Sequence, residues 1–261
     1  MAQFGIIASS RNWGGLPPAS STQINKQFDI DEWGTKRWGR YCLPDNTANT
    51  YPVIVFFHAT GEVGSTEPDL SNLDVYGPGN LLSSGTPLEF THPVTGIPQR
   101  FIYLAIQDQY WSPSLTQCKY ILENDPDLAP RIDYDNIFLT GISAGSKEIM
   151  QGVTESSANG AFVRGVVPFS SVGWDHTTAP EIAYFAGKDV WGFCGENSPG
   201  SGTDGTAATG ITINFVTAFS GRYTAAPSTH GGWQTYYDPT YTETIDGHTM
   251  GIFQWMSYKM I

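Results

Sequence analysis

Positive charge is scarce in this chain. Against 25 Asp and Glu stand 13 Lys and Arg, a formal net charge of −12 at pH 7 over 261 residues. A nucleic-acid partner requires a basic footprint, and an anionic membrane surface attracts Lys and Arg, so neither is expected. Cysteine is also scarce. Cys42, Cys118 and Cys194 are too few for a disulfide framework and show no metal-ligand spacing. One bridge plus a free thiol remains open, and neither metal nor cofactor is expected. No apolar run reaches the roughly 18 residues of a membrane span. Met1-Ala-Gln-Phe-Gly-Ile-Ile lacks the basic and long apolar regions of a signal peptide, and no Asn-x-Ser/Thr acceptor occurs. The compartment stays open between cytoplasmic and secreted with a leader removed.

What is present points to an ordered globular enzyme or binding protein. Hydrophobic residues make up 40% of the chain, enough for one sizeable core. The 29 Gly and 17 Pro imply many ordered loops, and 8 Trp, 13 Tyr and 14 Phe suit a packed interior or a cleft for aromatic or sugar ligands. Short apolar runs recur: Val53–Phe57, Phe101–Ile106, Asn136–Thr140, Val163–Phe169 and Pro180–Ala186 read as strands, with an edge strand at Lys36–Leu43 and a last one at Arg222–Ala226. Helices are expected at Ser112–Asn124, from Ala144 to about Ser157, at Ile211–Ser220 and around Met250–Lys259. Segments 58–98 and 195–210 read as loops. Such alternation predicts an α/β fold, a mostly parallel central sheet flanked by helices on both faces. Residues 1–35 form an expected N-terminal surface segment ahead of a single domain, 36–261.

The strongest chemical signal is Gly141-Ile142-Ser143-Ala144-Gly145, set between an apolar strand and a helix. A serine on a sharp strand-to-helix turn needs small neighbours, and the helix behind it offers free N–H groups and positive partial charge to an oxyanion. A serine nucleophile needs a base, and the base an orienting carboxylate. His230, in Ser228-Thr229-His230-Gly231-Gly232-Trp233, follows the last expected strand. His176 lies too early in the chain, and His248 lies close to the terminal helix. For the acid, Asp189 follows Ala183-Tyr184-Phe185-Ala186-Gly187-Lys188, with Glu196 and Asp204 as rivals.

A second signal follows another strand: Phe57-His58-Ala59-Thr60-Gly61-Glu62-Val63-Gly64. It resembles the His-Gly-x-Gly-Glu-x-Gly segment of α/β-hydrolase esterases, those similar to carbohydrate esterase family 1, polyhydroxybutyrate depolymerases and predicted peptidases. Trp233, Tyr237-Asp238 and Ile252-Phe253-Gln254-Trp255-Met256 resemble their C-terminal segments, and Gln107-Asp108-Gln109-Tyr110-Trp111 the segment after one of their strands. The resemblance covers roughly residues 36–261 and implies an α/β-hydrolase fold with a Ser143, Asp189, His230 triad. It also implies an oxyanion hole from the N–H groups of Thr60 and Ala144, with His58 a structural residue. Ala59 stands where those esterases usually carry glycine, a departure that would strain the loop if a positive φ were required. Trp111 and Trp233 are candidate substrate-pocket residues. The implied activity is carboxylic-ester hydrolysis through an acyl-enzyme, on acylated polysaccharides, hydroxycinnamoyl esters or polyesters. A peptidase or amidase on the same residues, or a non-catalytic binding protein that retains the fold, are the alternatives.

Overall fold

The computed structural model describes residues 18–45, 47–174, 177–195, 205–226 and 230–260. Among these, eight strands form one sheet: β1 (Ile24–Asp29), β2 (Lys36–Cys42), β3 (Tyr51–Phe57), β4 (Ile102–Ile106), β5 (Ile132–Ile142), β6 (Gly165–Phe169), β7 (Asp189–Gly195) and β8 (Arg222–Ala226). Their spatial order is β1-β2-β4-β3-β5-β6-β7-β8. β2 pairs antiparallel with β1 and with β4, and every other pairing is parallel. Parallel neighbours need crossovers, and helices supply them: α1 (Gly77–Ser83), α2 (Leu115–Asn124), α3 (Ala144–Glu155), α4 (Ser157–Phe162), α5 (Ala179–Ala183) and α6 (Gly205–Ala218). α7 (Gln234–Tyr237) and α8 (Ile252–Tyr258) follow the last strand.

The apolar runs are central strands because both faces of the sheet are covered. All seven residues of β3 are buried, and alternate side chains enter opposite cores. Val53, Val55 and Phe57 pack with Leu104, Leu139, Ile149 and Val166 on one side. Ile54 and Phe56 pack with Tyr103, Phe138, Phe169, Trp191 and Tyr237 on the other. At about 1.5–3 kcal/mol per buried large apolar side chain, these two layers dominate the folding energy. No disulfide joins Cys42, Cys118 and Cys194, and all three are buried.

Several expectations need correction. The N-terminal segment is not only a surface wrap, since Ile24–Asp29 pairs along β2 and forms the sheet edge. The boundary at residue 35 thus falls inside a hairpin, and β2 is an inner strand. The 58–98 segment holds α1 and 3-10 turns at Thr60–Glu62 and Pro68–Asp74. The Pro180–Ala186 run is not a strand. Thr178 and Glu181 form a capping box, with the Glu181 carboxylate accepting the Thr178 N–H at 2.8 Å, and Pro180 lies in the first turn of α5. The strand comes later, at β7, and α6 begins six residues ahead of the expected Ile211.

β3 and β5 lie side by side with Phe57 opposite Gly141. Chain order reverses here, since β4 flanks β3 on one side and β5 on the other. Such a switch point opens a crevice beyond the carboxyl ends of the strands. α3 rises from β5 so close to β3 that a methyl on Gly145 would overlap the Phe57 carbonyl, and one on Gly141 would lie 2.7 Å from the same oxygen. Gly145→Ala is therefore expected to lower stability by about 1–3 kcal/mol, because backbone rather than a flexible side chain must move. Thermal and urea unfolding of the variant check this.

Candidate active site

Ser143 sits at the switch point, between the end of β5 and the first residue of α3. Its backbone is held at φ 53° and ψ −113°, a region that costs a non-glycine residue on the order of 1–3 kcal/mol. The strain is sustained by the surroundings: the Ser143 N–H donates to the Phe169 carbonyl of β6 at 2.9 Å, and the flanking glycines allow the close approach to β3. The residue is 6% exposed, and its hydroxyl lies 2.9 Å from Nε2 of His230. His230 comes from the loop beyond β8, and burial lowers its pKa below the ordinary imidazole value. It is thus held neutral near pH 7, able to accept a proton from the serine.

The two residues expected from the sequence to donate to an oxyanion each open a helical turn. Ala144 opens α3 and Thr60 opens the 3-10 turn after β3. First-turn N–H groups have no partner inside their own helix, and the Phe57–Gly141 register starts both loops from the same level of the sheet. Ala59 carries no strain. Its backbone is extended at φ −78° and ψ 167°, and its methyl is buried. Glycine is not required at this position.

The loop that presents Thr60 is built on buried polar groups. His58 is fully buried and bonded on both ring nitrogens. Nε2 accepts the Asp108 N–H at 3.1 Å, so Nδ1 carries the hydrogen that is donated to the Ala59 carbonyl at 2.8 Å. That tautomer uses both nitrogens structurally, and burial lowers the pKa. One carboxyl oxygen of Glu62 accepts the Ala59 N–H at 2.8 Å, and the other has no partner among the described residues. Gln107, not singled out as a site residue from sequence, donates to the Glu62 and Asp69 carbonyls at 3.1 and 2.8 Å. Gly64 is required beneath it, since a methyl there would overlap the Gln107 amide.

Asp189 does not reach the site. It is the first residue of β7, opposite Gly165 at the start of β6, and it is ion-paired with Arg164 at 3.3 Å and Lys259 at 3.4 Å. The site lies beyond the carboxyl ends of the strands. Seven residues of β7 at about 3.3 Å rise put Asp189 roughly 20 Å from that end. The misassignment follows directly from reading α5 as the strand. The rivals Glu196 and Asp204 lie outside the described residues, as does His176. His248 opens a short strand, His248–Met250, that pairs antiparallel with Glu243–Ile245, its ring centroid 5.9 Å from that of Tyr258.

The two tryptophans part company. Trp111 is 36% exposed in the loop after β4, next to Tyr110 at 79%. Lys147 Nζ lies 5.8 Å from its ring centroid, and it bonds Glu148, both on the early turns of α3. Its ring is thus partly exposed and held against the start of α3. Trp233 is only 6% exposed, and its ring stands edge-to-face against both His230 and Tyr76. Among the described residues no cluster of three or more His, Cys, Asp or Glu side chains is arranged to hold a metal ion.

Burial pushes the Glu62 carboxyl up to about 8, against the Ala59 N–H that favours its ionised form. A carboxyl whose folded pKa exceeds its unfolded one stabilises fully below the unfolded value of 4.5, and the contribution is lost as pH rises through about 8. Glu62→Gln keeps an acceptor for Ala59 and does not ionise. Its melting temperature is expected to fall less than that of wild type between about pH 5 and pH 9, which parallel thermal melts across that range check.

No protein-family model and no curated protein matches the sequence. Solved structures do. A thermostable esterase aligns over 84% of this chain and 60% of its own, with TM-score 0.59 and 19% identity. The Staphylococcus aureus fluorophosphonate-binding serine hydrolase FphF aligns over 93% and 99%, with TM-score 0.53 and 11% identity. A ferulic acid esterase aligns over 84% and 94%, with TM-score 0.51 and 12% identity. The chain thus spans 60% of the length of the thermostable esterase. A mostly parallel eight-stranded sheet in the order β1-β2-β4-β3-β5-β6-β7-β8, with its strained serine at the switch point, gives this chain the α/β-hydrolase fold.

Proposed function

We propose that the chain is a serine hydrolase that cleaves carboxylic esters through an acyl-enzyme on Ser143. The observation that carries this is the 2.9 Å contact between His230 Nε2 and the hydroxyl of a serine in a strained strand-to-helix turn. His230 accepts the hydroxyl proton as Ser143 Oγ bonds to the ester carbonyl carbon. The carbonyl oxygen takes the negative charge and is received by the N–H groups of Thr60 and Ala144. Collapse breaks the bond to the alkoxy oxygen, which leaves with the proton from His230. Water then gives its proton to His230, attacks the acyl carbon and releases the acid, and Ser143 recovers its proton. Each such N–H donor is worth about 2.7–4 kcal/mol in the transition state. Neighbours of the same fold described as esterases and as a ferulic acid esterase support the ester reading, and the exposed Tyr110 and Trp111 suit an aryl or sugar ester.

The carboxylate that orients His230 is assigned to the segment following β7, where Glu196 is the first residue and Asp204 the second acidic one. Asp189 is excluded by its position at the other end of the strand.

Wild type is expected to hydrolyse short p-nitrophenyl esters and to take up a fluorophosphonate on Ser143, located by mass spectrometry. Ser143→Ala should lose both. No turnover and no label on folded wild type would overturn the reading. The acid limb of kcat/KM should lie below the ordinary histidine value of 6.5, with rate rising as His230 loses its proton. Asp189→Asn should leave kcat within about twofold and cost about 1 kcal/mol or less of stability, because its ion pairs are partly exposed. Of Glu196→Gln and Asp204→Asn, one should lower kcat by orders of magnitude, on the order of 10⁴ in the template case.

A further inference from the structure

Ser170 is a second serine with a left-handed backbone, at φ 47°, and it follows directly on Phe169, whose carbonyl holds the Ser143 N–H. It is 2% exposed, and its own N–H donates to the Phe193 carbonyl of β7 at 2.8 Å. A non-glycine residue in that region is strained and persists only where its surroundings over-determine it. Its Oγ accepts the indole N–H of Trp233 at 3.3 Å. The Trp233 ring then stands at 87° to the His230 ring with centroids 5.0 Å apart, and at 83° to Tyr76 with centroids 5.2 Å apart. Gly232, at φ 69°, lets the chain turn so that His230 and Trp233 lie side by side.

These contacts close a circuit: Ser143 to Phe169 through the backbone, Phe169 to Ser170 along the chain, Ser170 to Trp233 through the indole N–H, Trp233 to His230 through the rings, and His230 back to Ser143. We infer that Trp233, anchored by Ser170, is a positioning residue that fixes the His230 imidazole relative to the nucleophile, rather than a wall of the substrate pocket. Its polar atom and its ring are already engaged, and almost none of it faces solvent. The inference rests on the ester-hydrolase reading above. A histidine mounted on a loop has no strand to hold it, and a ring displaced by about 1 Å costs on the order of 10²-fold in rate.

The test compares wild type, Ser170→Ala, Trp233→Phe, the double variant and Trp233→Ala, each confirmed folded by thermal melting. Fluorophosphonate labelling and p-nitrophenyl ester turnover by wild type come first, since their failure would sink the hydrolase reading itself and not the clamp. Given an active wild type, Ser170→Ala and Trp233→Phe are each expected to lower kcat about tenfold with KM within about twofold, and the double variant to lose no more than either alone, because both cut one contact. Trp233→Ala should lose about 100-fold in kcat, and the His230 imidazole resonance followed by NMR should titrate at higher pH as the ring loses its cover. An unchanged kcat with a raised KM would make Trp233 a substrate contact and overturn the inference. So would additive losses in the double variant, or a His230 titration unmoved in Trp233→Ala.

Discussion

Everything at the candidate site depends on how closely α3 approaches the backbone of β3. Gly141 and Gly145 both lie against the Phe57 carbonyl, and a side chain on either would push helix and sheet apart. The turn at Ser143 between them has a positive φ of 53°. The two strand ends are also level, Phe57 opposite Gly141, so that the loop after Phe57 and the first turn of α3 start side by side. The strain at Ser143 is supported by the two cores that grip β3 and β5 from either face. The position of Ser143 is therefore a product of core packing.

Elements defined by burial on both faces were legible in the sequence for that reason. β3, β4 and β6 read as short apolar or β-branched runs because a covered parallel strand leaves no polar face to interrupt them. The motif around Ser143 was legible because its glycines answer a steric demand that composition displays directly. The failures have a common cause as well. A short apolar run does not distinguish a helix from a strand, and at Ile182–Ala186 only the Thr178, Pro180, Glu181 pattern marked a helix start. That one error moved the strand by an element and carried Asp189 with it. Ser170 was invisible, since nothing in Phe169-Ser170-Ser171 announces a left-handed backbone.

The loop carrying Thr60 illustrates a different economy. It has no regular strand beside it, so its shape is held by buried polar side chains: His58 on Asp108 and Ala59, Glu62 on Ala59, Gln107 on Glu62 and Asp69. Buried polar groups are costly unless bonded, and bonded they specify one conformation. A protonated Glu62 can fill this role where a charged one would have to be compensated, consistent with its raised pKa. The precision gained is local, in the short turn after β3, and the stability that goes with it is lost as pH rises from about 4.5 through about 8.

The two halves of the proposed catalytic pair are thus supported in unlike ways. Ser143 is held by sheet and helix, the most rigid parts of the molecule. His230 sits beyond the last strand, where no ladder of backbone hydrogen bonds continues, and a loop-mounted base is as precise only as the side chains around it. Trp233 answers that need with few rotatable bonds and a large face, and Ser170 ties it to the strand that already holds the nucleophile. Both side chains are then referenced to the end of β6: the serine through the Phe169 carbonyl, the histidine through the next residue along the chain. The two groups that meet at 2.9 Å are thus both tied to the same strand end, one through its backbone and one through a side chain. The strained backbone at Ser170 is the local cost of keeping that shared reference.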